Sequence, residues 1–194
     1  MKFKINDIYD IHKGYTLDLK PGYTALVGPN GAGKTTLLQQ LKEEVKKSGN
    51  LFVKYDNLND GGTRSAGEYL FCGDTTAAAT VLTSSEGEGI AVNFGKFVQK
   101  LGKTVRGAVA AKAENLFVLV DAYDSGSSID RIRELRSLVN IIIDDAAPIN
   151  IFFIASANTF EMAREADCVD VRTGKHLRFA NYEEFADFVC NYKL

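Results

Sequence analysis

The chain has 194 residues, a formal net charge of −2, and 45% hydrophobic and 25% charged residues; these values fit one ordinary globular domain over 1–194 and offer nucleic acid no bulk attraction. No apolar run reaches the roughly 18 residues that span a bilayer, and the opening Met1-Lys2-Phe3-Lys4-Ile5-Asn6-Asp7 lacks the apolar core of a secretory signal, so a cytoplasmic location is expected. Cys72, Cys168 and Cys190 have neither pairing nor C-x-x-C spacing and His12 and His176 stand alone, so no disulfide framework or metal cluster is expected.

In chain order, Phe3 to Ile11 and Tyr15 to Leu19 read as an antiparallel hairpin with Gly14 near its turn, and Pro21-Gly22 breaks the chain before a buried strand from Tyr23 to Val27. Tyr9 and Tyr15 are candidates to stack on an adenine ring, beside the core role usual for aromatic residues in strands. Gly28-Pro29-Asn30-Gly31-Ala32-Gly33-Lys34-Thr35-Thr36 follows and fits G-x-x-x-x-G-K-[ST] at every fixed position, with a helix from Thr35 to Lys47 leaving it. Glycines let successive N–H groups turn inward at the positive end of a helix dipole, a cradle for phosphate oxygens. Lys34 adds charge near the β- and γ-phosphates, and the Thr35 hydroxyl is placed to ligate Mg²⁺.

Ser48-Gly49-Asn50 stops the helix, Leu51 to Tyr55 reads as a strand and Asp56 to Ser65 as a loop. A short helix is predicted over Asp74 to Leu82, and Ser84-Ser85-Glu86 caps another that continues to about Leu101. Lys96, Lys100 and Lys103 share one face of it, as a solvated face requires. Leu116 to Asp121 is an apolar run ending in an acid, the pattern of a central parallel strand with a functional residue at its carboxyl end. Helix Ile129 to Ile143, strand Ile149 to Ala155, short helix Thr159 to Ala166, a hairpin over Asp167 to Phe179 turned at Thr173-Gly174, and a helix from Tyr182 to about Tyr192 complete the chain. The predicted class is α/β: a P-loop NTPase with a mostly parallel central sheet, N-terminal antiparallel strands and a small helical subdomain. Asp121, paired with Thr35, is the expected second Mg²⁺ anchor.

Beyond the phosphate loop, Leu82-Thr83-Ser84-Ser85-Glu86-Gly87-Glu88 resembles the L-S-G-G-Q/E signature of ABC-type ATPases. It precedes the Asp121 strand by about thirty residues, and the chain resembles most the soluble branch of chromosome-maintenance, repair and related phage ATPases. The resemblance implies ATP and Mg²⁺ as ligands and a head-to-tail homodimer around two nucleotides, in which Ser85 and Gly87 meet the γ-phosphate held by the other subunit. A further protein partner is compatible with it, and nucleic acid is left open. Asn30, Gly31, Ala32, Gly33, Lys34, Thr35 and Thr36 are the expected nucleotide-binding residues.

Two positions depart from the family pattern. After Asp121, where the family carries a water-polarising Glu, stands Ala122, which neither accepts a proton nor orients water; either the chain is a naturally slow or inactive member, or position 122 carries a trapping substitution. In Ile154-Ala155-Ser156-Ala157-Asn158-Thr159, where a switch His is usual, Asn158 is the nearest polar residue, able to hydrogen-bond a γ-phosphate or water but not to titrate. The Mg²⁺-directed Gln expected after the Leu51 strand is missing, and Asp56 and Asn57 are its nearest substitutes. An ATP-driven engine and an ATP-gated interaction module both fit these residues. A nucleotide kinase with Arg131, Arg133 and Arg136 as phosphate clamps fits less well, because it leaves the signature segment unused.

Overall fold

A computed structural model describes residues 1–7, 14–57, 70–76, 78–79 and 86–192. Two short strands open the chain, β1 (Lys2–Ile5) and β2 (Tyr15–Asp18), paired antiparallel with Phe3 opposite Leu17 and Ile5 opposite Tyr15. They form a sheet of their own. The expected extension of the first strand to Ile11 runs past the described residues; β1 ends at Ile5.

β3 (Gly22–Val27), α1 (Lys34–Lys47) and β4 (Leu51–Asp56) follow. Leu37, Leu38, Leu41 and Val45 line the buried face of α1 at helical spacing. The helix stops where Gly49 turns left-handed, with the Asn50 N–H returning to the Val45 carbonyl at 3.3 Å. α2 (Glu86–Ala110) runs about two turns beyond the expected end near Leu101. Gly102 does not break it, because Leu101 and Ala108 are both buried against the core and hold the second half in place. Tertiary burial outweighs the roughly 1 kcal/mol that a helical glycine costs.

β5 (Asn115–Asp121), α3 (Ile129–Asp145), β6 (Asn150–Ala157), the single turn α4 (Phe160–Ala163), β7 (Asp167–Asp170), β8 (His176–Leu177) and α5 (Tyr182–Cys190) close the chain. The Asn181 side chain accepts the Glu184 N–H at 2.9 Å while Glu184 accepts the Ala180 N–H at 2.8 Å, which sets the start of α5.

The main sheet has the order β4-β5-β6-β3-β7-β8. All its pairings are parallel except the last, the hairpin read from Thr173-Gly174. Alternate side chains of one strand serve two cores. Leu116, Val118 and Val120 face α2, α3 and α5, whereas Phe117 and Leu119 face α1 and the small sheet. Burial on both faces is why β5 and β6 read as continuous apolar runs.

Phe117 stacks on Phe152 at 4.6 Å between centroids and meets the edge of Phe3 at 5.7 Å, tying the small sheet to the large one. Phe117→Ala is expected to cost about 3–5 kcal/mol of stability, read from urea denaturation; a loss below about 1 kcal/mol would show that this junction repacks freely.

Candidate nucleotide-binding site

Strand β3 delivers the chain to a turn that only glycines make without strain: φ is 152° at Gly28, 83° at Gly31 and 96° at Gly33. Gly28 also lacks room, since a Cβ there would lie 3.0 Å from the Ala32 Cβ and 3.2 Å from Val171 Cγ2. Gly33 is the N-cap of α1 and supplies no side-chain acceptor, so the N–H groups of the first turn are left pointing toward a ligand.

Lys34 is buried, and its ammonium donates to the Gly28 and Pro29 carbonyls at 2.6 and 3.0 Å. Burial pushes its pKa below the ordinary lysine value, while the carboxylates of Asp124 and then Asp121 pull it back up. The cation thus sits between a neutral loop and two acids, where charged phosphate oxygens make stronger acceptors than the carbonyls.

Asp121, buried at the end of β5, takes a hydrogen bond from the Ser156 hydroxyl on Oδ1 at 2.7 Å. The same Ser156 Oγ accepts the Ala122 N–H at 2.7 Å. Oδ2 of Asp121 has no protein partner among the described residues. Ala122 adopts φ 54°, and its carbonyl accepts the Ser125 N–H at 3.0 Å, closing a tight turn at the strand end. Asp124, also buried, accepts the Asn158 N–H at 2.6 Å and the Thr159 N–H at 2.8 Å on Oδ2, and the Asn158 side-chain amide at 2.9 Å on Oδ1.

These groups border one cleft of about 300 Å³. Asn30, Gly31, Gly33, Lys34, Thr35 and Thr36 reach it from the loop and α1, and Asp121, Ala122 and Asn158 from the opposite strand ends, together with Ser125 and Ser156. Ala32 instead points into the core. Ser125, Ser156 and the three-donor role of Asp124 were not among the site residues expected from sequence. The signal for Ser156 was a polar side chain interrupting an otherwise apolar strand, and such a residue is buried only when bonded.

The two Gln substitutes do not face the cleft among its described residues. Asn57 donates its amide to the Ser125 carbonyl at 2.7 Å and accepts the Tyr55 hydroxyl at 3.0 Å, so both its ends are engaged. Asp56 stands beside Asp121 in the β4–β5 register and pairs with Lys54 at 2.9 Å. Tyr15 gives its hydroxyl to the Val171 carbonyl at 2.6 Å, and burial raises its pKa. Tyr9 and Ser85 lie outside the described residues, and Gly87 is the second residue of α2. The arginines of α3 are committed elsewhere: Arg131 to Glu134, Arg133 to Glu161, and Arg136 to the Arg164 carbonyl and the Tyr23 ring.

A phosphate chain is the ligand that an N–H cradle with a lysine selects, and the Thr35 hydroxyl and Asp121 carboxylate are hard oxygen donors of the kind Mg²⁺ prefers. The class is that of P-loop nucleotide-binding proteins. Residues 12–136 match the ABC transporter family; the chain belongs to that family and carries its ATP-binding domain. The matched span takes in the phosphate loop and the Asp121 strand. Comparison with curated proteins gave no match. Among the described residues, no helix is long and apolar enough to cross a membrane.

Lys34→Ala is expected to cost ATP affinity on the order of 2 kcal/mol or more with the fold intact, measured by calorimetry beside circular dichroism; unchanged affinity would contradict the phosphate-cradle assignment. Bound phosphate must favour the charged form of Lys34, whose pKa in the free protein lies below 10.5. ATP affinity should therefore fall as pH rises through that lowered pKa, with net proton uptake on binding in that window. Titrations in buffers of different ionisation enthalpy read that uptake directly, and its absence would count against a phosphate contact at Lys34.

Proposed function

We propose that this chain is an ATP-binding protein of the soluble ABC branch, acting in the cytoplasm, that closes head-to-tail with a second copy around two MgATP and hydrolyses them slowly. The observation that carries the reading is the convergence of Lys34, Thr35, Asp121 and Asn158 on one cleft. In this reading Thr35 and Asp121 hold Mg²⁺, which neutralises phosphate charge, while the loop N–H groups and Lys34 hold the β- and γ-phosphates. Gly87, in the first turn of α2, and Ser85, which precedes that helix in sequence, act on the nucleotide of the partner copy, as a helix N-terminus suits an anion. Residues 1–194 serve as one ATP-binding unit.

Position 122 supports a second reading, an ATP-gated module whose output is dimerisation. A methyl group stands next to Asp121 where a carboxylate would polarise water, on a backbone in the left-handed conformation, φ 54°, that strains any residue with a Cβ. Without that carboxylate, the closed pair outlives many binding events, because hydrolysis is what relieves the γ-phosphate contacts.

ATP turnover and oligomeric state measured in one sample separate the two readings. Ala122→Glu is expected to raise turnover by about 10²- to 10⁴-fold and shorten the life of the dimer. Brisk turnover in the parent, unchanged by this substitution, would place the missing base elsewhere. Ser85→Arg should still bind ATP but stay monomeric with MgATP in light scattering; a dimer as stable as the parent's would remove the signature assignment.

A further inference from the structure

The hydrogen bonds around Asn158 decide which of its two amide ends faces the nucleotide. A carboxylate only accepts, so the atom turned to Asp124 Oδ1 at 2.9 Å must be the Asn158 Nδ2. Its second hydrogen points to the Ser125 hydroxyl at 3.4 Å. Both donors of the side chain are thereby directed at the segment that follows Asp121. Turning the amide over would set its oxygen against the Asp124 carboxylate, which has no donor to offer and is itself held in place by the backbone N–H groups of Asn158 and Thr159 at 2.6 and 2.8 Å. Asn158 lines the cleft next to Asp121 and Ala122, and Oδ1 is the end of its amide that neither Asp124 nor Ser125 engages.

We infer that Asn158 Oδ1 accepts a hydrogen bond from the water that attacks the γ-phosphate, and that Asp124 is the positioning residue that forces this polarity. The inference rests on the ATP-hydrolysing reading above. A group that presents only an acceptor repels phosphate oxygens and attracts an O–H, so it holds water where a donor at this position would hold the phosphate itself. An amide oxygen does not take up a proton. The water oxygen forms its bond to the γ-phosphorus, the bond from that phosphorus to the β,γ-bridging oxygen breaks with its electron pair leaving on ADP, and one water proton passes to a phosphoryl oxygen. ATP⁴⁻ and water become ADP³⁻ and H₂PO₄⁻. With no carboxylate at position 122, orientation is what these residues contribute, and turnover is slow but present.

The test measures MgATP affinity by calorimetry and single-turnover hydrolysis for the parent, Asn158→Ala, Asp124→Asn and the double variant, with melting curves for each. Asp124→Asn places an amide donor opposite Asn158 and lets that side chain reverse, presenting NH₂ to the cleft. Both single variants are expected to bind MgATP within about threefold of the parent and to hydrolyse it at least about tenfold more slowly. The double variant should be no slower than Asn158→Ala, because Asp124 acts through Asn158. If Asp124 serves only to cap the turn at Thr159, Asn158→Ala keeps the parental rate, and the inference is overturned. It is overturned equally if Asn158→Ala loses affinity rather than rate, since that marks a phosphate donor, or if the parent binds MgATP with no turnover above background. A parent that binds no MgATP fails the ATP-binding reading itself. Should Asp124→Asn melt below the assay temperature, Asn158→Ala alone decides, because its half-buried side chain leaves the core untouched.

Discussion

The parallel register of β3, β5 and β6 is the constraint on which the site depends. Val27 pairs with Ala157 and Val120 with Ala155, so the three strands end along one edge of the sheet. Each then delivers a different chemical group to the same crevice: the glycine loop from β3, Asp121 from β5 and Asn158 from β6. β6 lies between the other two, which opens a gap for a ligand between the loop and the acid. Ligands of open parallel sheets gather at such carboxyl edges for this reason. What fixes the register is burial on both faces, because a slip by one residue would exchange the side chains of two different cores.

At that edge the polar groups form a closed set. Ser156 spans Asp121 and the Ala122 N–H, and Asp124 spans the backbone and side chain of Asn158. Each carboxylate is buried, which is tolerable only with donors supplied. Asp124 is therefore at once a structural partner for two N–H groups and the acceptor that sets which way the Asn158 amide is turned. Lys34 lies close enough to feel both acids, so the cleft holds opposite charges before any nucleotide is present. In the proposed function, a phosphate chain with Mg²⁺ adds both a counter-charge for the lysine and a cation for the aspartate.

The sequence alone determined the elements whose signal is local. The phosphate loop is legible because its glycines, Lys34 and Thr35 sit within nine consecutive residues. Asp121 is legible because an acid that closes an apolar run marks the place where a buried strand emerges at the sheet edge. The two-stranded opening, the β7–β8 hairpin and the start of α5 were likewise readable, since turn glycines and caps act over three or four residues. Family membership followed from the order of these signals along the chain.

What only the tertiary structure decided depends on residues distant in sequence. The length of α2 past Gly102 follows from contacts of Ala108 with the core, which no helix propensity reports. The roles of Ser156, Asp124 and Asn57 come from partners 34 to 68 positions away, and hydrogen-bonding capacity says nothing of which partner is met. Position 122 was legible as an alanine but not as a left-handed turn. For Asn158 the sequence left donor and acceptor equally open, because an amide carries both ends; the fold chose, by setting a buried carboxylate against one of them.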